Sequence, residues 1–251
     1  MTRFTGSDTL QGATFVGADL RGARFVESDL SDVVMRGVEL RGADLDAPWL
    51  PSAGSFRVNG VDVIAFVEAE LDRRFPGRAL RRAADPDGLR EAWAALEQGW
   101  AAVVARVEAM PAGTVDVRVD DEWSFAETLR HLVLATDAWL GRGVLEREQP
   151  LHPLGMAFAD AGPGGPLDLS VLTPGTPPWA EVLAARADRV GQVRAFLATV
   201  TAEELDTPRR NPWDPTGAET TRSCLHVVLE EEWEHHRFAV RDLDALAGAV
   251  G

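Results

Sequence analysis

Chemistry in this chain falls to few residues. Its five histidines are His131, His152, His226, His235 and His236, its one cysteine is Cys224, and it has no tyrosine. The last two histidines close the run Glu230-Glu231-Glu232-Trp233-Glu234-His235-His236-Arg237. At about 100° per residue, Leu225, Leu229, Val240 and Leu243 make one apolar stripe of a helix, and Glu232 and His236 fall within it, about one turn apart. A carboxylate and an imidazole at i and i+4 can turn two ligand atoms toward one metal. Burying either alone is costly, so the pair needs a metal, each other or a polar cavity. His235 is turned about 100° away, toward Glu231 and Asp242. A site in that other phase, Glu231 with His235, is disfavoured by the stripe.

His131 lies beside the stripe of Phe125, Leu129, Leu132 and Trp139, in a lane with Ala135 and Ala138, whose small side chains leave room for the imidazole. Two ligands from one helix and a third from another make a three-ligand site with an open position, the pattern of catalytic metal centres. The plainer alternative is a buried Glu232–His236 ion pair, with His131 bonded to a backbone carbonyl. Glu230, Glu231 and Glu234 read as a solvated face. Glu127 reads as a helix cap, and His152 as a loop residue or part of a lid. Cys224 reads as a packing residue at a helix start. No phosphate-binding glycine loop and no Ser/His/Asp triad is present.

Composition narrows the classes. A formal charge of −15 argues against nucleic-acid binding, because phosphate contacts need basic patches. A single cysteine cannot close an internal disulfide and fits a reducing compartment. With no leader-like start and no run of roughly 18 apolar residues, the expectation is a soluble cytoplasmic protein without a membrane span. All the basic residues are arginine, the mark of a GC-rich coding sequence. Residues 1–50 carry five Arg against eight Asp and Glu, so the acidity belongs mainly to the remainder.

Two unlike parts must position these residues. In residues 1–50 large apolar side chains recur every fifth position, at Leu10, Phe15, Leu20, Phe25, Leu30, Met35, Leu40 and Leu45. Small residues such as Ala13, Ala18, Ala23 and Ala43 stand two places before them. A period of five fits neither helix nor strand and points to a solenoid of stacked coils. The runs Ala18-Asp19-Leu20-Arg21-Gly22 and Ala43-Asp44-Leu45 resemble the pentapeptide-repeat family. That resemblance implies a square β-solenoid of about two coils, about 10 Å tall at sheet spacing. So short a stack is expected to lean on the rest of the chain.

Residues 51–84 read as a linker followed by an amphipathic helix over 61–75. Asp85-Pro86 supplies an N-cap and a proline at the first helical position. The helix after it carries Leu89, Trp93, Leu96, Trp100, Val103, Val107 and Met110 at steps of four and three, a bundle seam. Ser124-x-x-Glu127 is a capping box opening a second helix to 145. Thr176-Pro177-Pro178 precedes a third helix to 200, with Trp179, Val182, Val190, Val193 and Leu197 inward. The fourth spans 221–247. The connection 148–177 is long enough for a crossover or a lid, and 206–217 reads as a second loop. The expectation is an α+β two-part chain: a short pentapeptide-repeat β-solenoid over 1–50, then an all-α four-helix bundle over 85–251.

The bundle resembles the DinB superfamily over about residues 85–247. The segments that carry the resemblance are Trp123-Ser124-Phe125-Ala126-Glu127-Thr128-Leu129-Arg130-His131-Leu132 and Glu232-Trp233-Glu234-His235-His236-Arg237. The resemblance implies a divalent metal (zinc, nickel, manganese or iron) held by His131, Glu232 and His236, with Glu232 where the family usually has histidine. It also implies a thiol-dependent S-transferase or hydrolase acting on a small electrophile. Mycothiol is the natural thiol in GC-rich relatives, with Arg237 or His235 orienting an anionic ligand. The expected partner is a small-molecule substrate, and a homodimer is compatible with the chain. The alternative is a non-catalytic interaction module that uses the repeats, with the bundle as scaffold.

Overall fold

Backbone turns recur every five residues at the start of the chain. Positions 12, 17, 22, 27, 32, 37 and 42 all take positive φ, and Glu27 and Asp32 adopt it despite their side chains. Backbone bonds from Ala13 to Leu10, Ala23 to Leu20, Val33 to Leu30 and Ala43 to Leu40 close alternate turns. In this computed structural model the described residues are 3–6, 10–158, 165–214 and 216–248. The chain divides into two compact units, Met1–Asp46 and Ala47–Gly251.

The inward-packed β-solenoid expected from the period is not shown. The described residues before 47 form no strand. The large apolar residues of the repeats remain 42–63% exposed, from Leu30 to Phe25. Eight five-residue repeats amount to about two coils, too few to cover their apolar side chains by stacking.

In the second unit, β1 (Arg57–Val58) and β2 (Val61–Asp62) pair through Asn59-Gly60, both at positive φ as a tight hairpin turn requires. α1 (Ile64–Arg74) follows. Arg78 and Arg81, in the 3-10 turn after it, are buried against Glu68 and Asp72 of α1, and Arg78 also reaches Glu234. α2 (Pro86–Glu108) begins as expected, with Asp85 accepting from the Gly88 amide, and it buries the seam from Leu89 to Val107.

α3 (Phe125–Thr136) opens on a complete capping box between Ser124 and Glu127, and its path continues as π-helical turns over Asp137–Val144. A side chain on Gly143 would crowd the Cys224 sulfur at 3.3 Å, so a glycine lets the last helix approach. α4 (Trp179–Thr199) and the short α5 (Ala202–Leu205) come next. The expected loop 206–217 is in fact bracketed by a hairpin, β3 (Pro208–Arg210) with β4 (Ala218–Thr220), which leads into α6 (Thr221–Gly248).

α2 and α3 each pack against both α4 and α6. Consequently α2 faces α3, and α4 faces α6, across the bundle centre. No helix among the described residues is long and apolar enough to cross a membrane. The long connection before α4 is tied to α3. The Arg130 guanidinium donates to the carbonyls of Leu154, Thr173 and Gly175, and the Asp137 carboxylate accepts from the His152 amide. Residues 159–164 of that connection lie outside the described ones.

Candidate metal centre

His131 projects from the flank of α3 that faces α6. Its partners there are Glu231 and His235, one turn apart on the near flank of α6. The Nε2 atoms of His131 and His235 each lie 3.3 Å from Glu231 Oε2. One ligand atom from each of the three residues falls within 4.8 Å of the others, and among the described residues no other such group of three forms. Between 9% and 20% of each side chain remains exposed.

Neighbouring groups orient the three side chains and bias the charge of two of them. The backbone carbonyl of Met156 lies 3.1 Å from His131 Nδ1 and fixes the ring's orientation, while Nε2 is turned to Glu231 and is the nitrogen that would ligate a metal. Burial pushes the Glu231 carboxyl up, but hydrogen bonds from His131 and His235 outweigh it and hold the group well below the usual carboxylate range. Burial pushes His235 down, only partly offset by Glu231, so its neutral form is favoured. Trp123 covers the site: its ring stacks on His235 at 5.8 Å and tilts over His131 at 4.6 Å. Two imidazoles and an ionised carboxylate suit a divalent ion of intermediate softness.

Glu232 and His236 do not join His131. Both are as buried as the apolar stripe required, 1% and 7% exposed, but the middle of that stripe faces the bundle interior rather than α3. Glu232 Oε2 takes a 2.5 Å bond from Arg186 Nη2 of α4, across the bundle. Burial pushes the Glu232 carboxyl up, Arg186 opposes this, and the nearby Trp100 indole helps without closing a bond of ordinary geometry. His236 is ringed edge-on by Phe75, Trp100 and Trp233, with centroids 5.2–5.9 Å away. Neither of its ring nitrogens closes a hydrogen bond among the described residues, and burial pushes it toward the neutral form.

Arg237, expected to orient an anion, pairs with Glu234 at 2.8 Å and lies over the Phe238 ring. His235, offered for the same role, stands inside the candidate ligand group. Cys224 is fully buried and its thiol is pushed up to about 12, in keeping with packing rather than nucleophilic chemistry. Two signals pointed to the flank. His131 lies beside its own stripe, so its partners should lie beside theirs. Trp123, directly before an N-cap serine, was an unused marker of what shields the site.

A family model described as the DinB superfamily matches residues 95–239. Pentapeptide repeats match in eight copies over residues 10–46. No curated protein and no solved structure matches the chain.

Proposed function

The chain belongs to the DinB superfamily, which includes metal-dependent enzymes, and on that footing we propose that His131, Glu231 and His235 hold a divalent metal for catalysis. The activity we assign is transfer of a low-molecular-weight thiol of the mycothiol type to a small electrophile, or a related hydrolysis. The observation that carries this reading is the convergence of three ligand atoms from two neighbouring helices within 4.8 Å. A divalent ion bound there supplies Lewis acidity and keeps a thiol ionised at neutral pH.

The protein's own groups do the rest. Met156 orients His131, Glu231 brings a fixed negative charge, and burial keeps the His235 lone pair available. Trp123 limits water at the imidazoles. Arg237, held by Glu234, places a cation within two residues of His235 and suits an anionic substituent on the substrate.

The test is thiol consumption by the full-length protein with mycothiol, or cysteine as a simpler thiol, and chlorodinitrobenzene as electrophile. Metal-loaded protein should consume thiol faster than chelated protein or His131→Ala. Full metal occupancy with no acceleration over the protein-free reaction would contradict it. A second reading, a partner-binding module, is favoured by one observation: the repeat residues Phe15 and Phe25 are 60% and 63% exposed.

A further inference from the structure

A cleft of about 530 Å³ runs between α2 and α4, and nothing in the metal-site reading uses it. Its walls are Trp93, Leu96 and Trp100 from α2 and Leu183 and Val190 from α4, with Arg186 and Glu232 also lining it. The volume is that of a small-molecule site, typically about 300–1,000 Å³. Glu97 and Arg194, paired at 2.9 Å, line it on the exposed side.

Four buried polar atoms of these residues close no hydrogen bond of ordinary geometry among the described residues: Glu232 Oε1, Arg186 Nη1, Trp93 Nε1 and Trp100 Nε1. Native proteins leave few such atoms, because a buried donor or acceptor without a partner has lost its bonds to water and gained none. The ion pair explains the pattern only in part. Arg186 and Glu232 join through Nη2 and Oε2 alone, rather than as a two-pronged fork, so the pair retains one donor and one acceptor. The residues that carry these atoms line the cleft.

We propose that this cleft is a second ligand site, distinct from the His131–Glu231–His235 group, for a flat, uncharged lactam or amide whose N–H and C=O lie side by side. The carbonyl accepts from Arg186 Nη1 and an indole N–H, and the amide donates to Glu232 Oε1. The paired charges nearly cancel, so they favour a neutral dipole over an anion or a cation. The indole and aliphatic walls accommodate a flat ring.

The experiment uses 2-pyridone as probe and follows the Trp93 and Trp100 indole N–H resonances of the full-length protein by NMR. We expect saturable shifts that survive chelation of metal and that toluene and benzoate reproduce about tenfold more weakly or not at all. Glu232→Gln should weaken the probe by about tenfold or more. Because that change touches a buried pair, Ala187→Trp, which fills the cleft from an exposed position on α4, serves as the second variant and should abolish the shifts. No saturable shift, equal binding of toluene, or undiminished shifts in Ala187→Trp would overturn the proposal.

Discussion

Glu231 and Glu232 are consecutive on α6, yet their carboxylates serve different neighbours. Glu231 stands between His131 and His235, while Glu232 reaches across the bundle to Arg186. One step along a helix is a rotation of about 100°, enough to exchange the flank facing α3 for the centre facing α4. The two positions therefore differ in everything that matters to chemistry: access, partner and the form of the carboxyl that the surroundings favour.

Removing Arg186 should be severe, since it strands a fully buried carboxylate. Arg186→Met should cost about 3–5 kcal/mol of stability, and adding Glu232→Leu should restore most of it, because an apolar pair avoids the desolvation of two charges. Urea denaturation of the two variants checks this. A single variant as stable as the parent would show that the pair contributes nothing.

His226 gives a pH dependence. Its Nε2 donates to the Ala83 carbonyl at 2.9 Å. Burial is the main cause pushing it down; Arg82 and Arg222 add to that, and Glu230 and the Ala83 bond oppose it. The unfolded chain then binds a proton more readily than the folded one, so stability falls as pH drops from about 6.5 toward the folded value. In His226→Gln, thermal unfolding between pH 7 and pH 5 should lose part of the parent's pH slope. An identical slope would contradict this.

Arg130 ties the long connection to α3 through three backbone carbonyls. Arg130→Leu should cost at least about 2 kcal/mol and speed proteolysis within the connection. Metal binding should weaken less than on loss of a ligand, since Met156 in the same segment orients His131. Limited proteolysis alongside metal titration separates the two effects. Unchanged proteolysis would refute the anchoring role.

Much of the bundle was legible because local rules and packing agree there. Asp85-Pro86 caps α2, Ser124 and Glu127 cap α3, and the four-three seam of α2 is buried as written. The burial of Glu232 and His236 was also legible from periodicity. What periodicity cannot say is which buried or flanking face meets which neighbour, because that depends on the order of helices around the bundle. Here α6 has α3 beside it and α4 opposite, so the centre of its stripe meets Arg186. That arginine lies four residues from both Val182 and Val190 in an apolar lane, and the cost of a lone buried carboxylate could have pointed to it. The π-helical turns at Asp137–Val144 and the β3–β4 hairpin answer to tertiary contacts and left little trace in local propensity. In the repeats, the period was plain and the turns follow it, but stacking depends on the number of coils.

The most direct test of the metal centre is the divalent-metal content of His235→Ala set beside that of His236→Ala, measured at equal protein concentration with the parent and Glu231→Ala. Loss of a ligand should weaken binding by more than the about 10- to 100-fold that loss of a ligand's hydrogen-bond partner costs, whereas a neighbour turned into the core should leave affinity nearly unchanged. The geometry predicts loss of metal in His235→Ala and Glu231→Ala and retention in folded His236→Ala. Retention in His235→Ala with loss in folded His236→Ala would contradict it and return the site to Glu232 and His236.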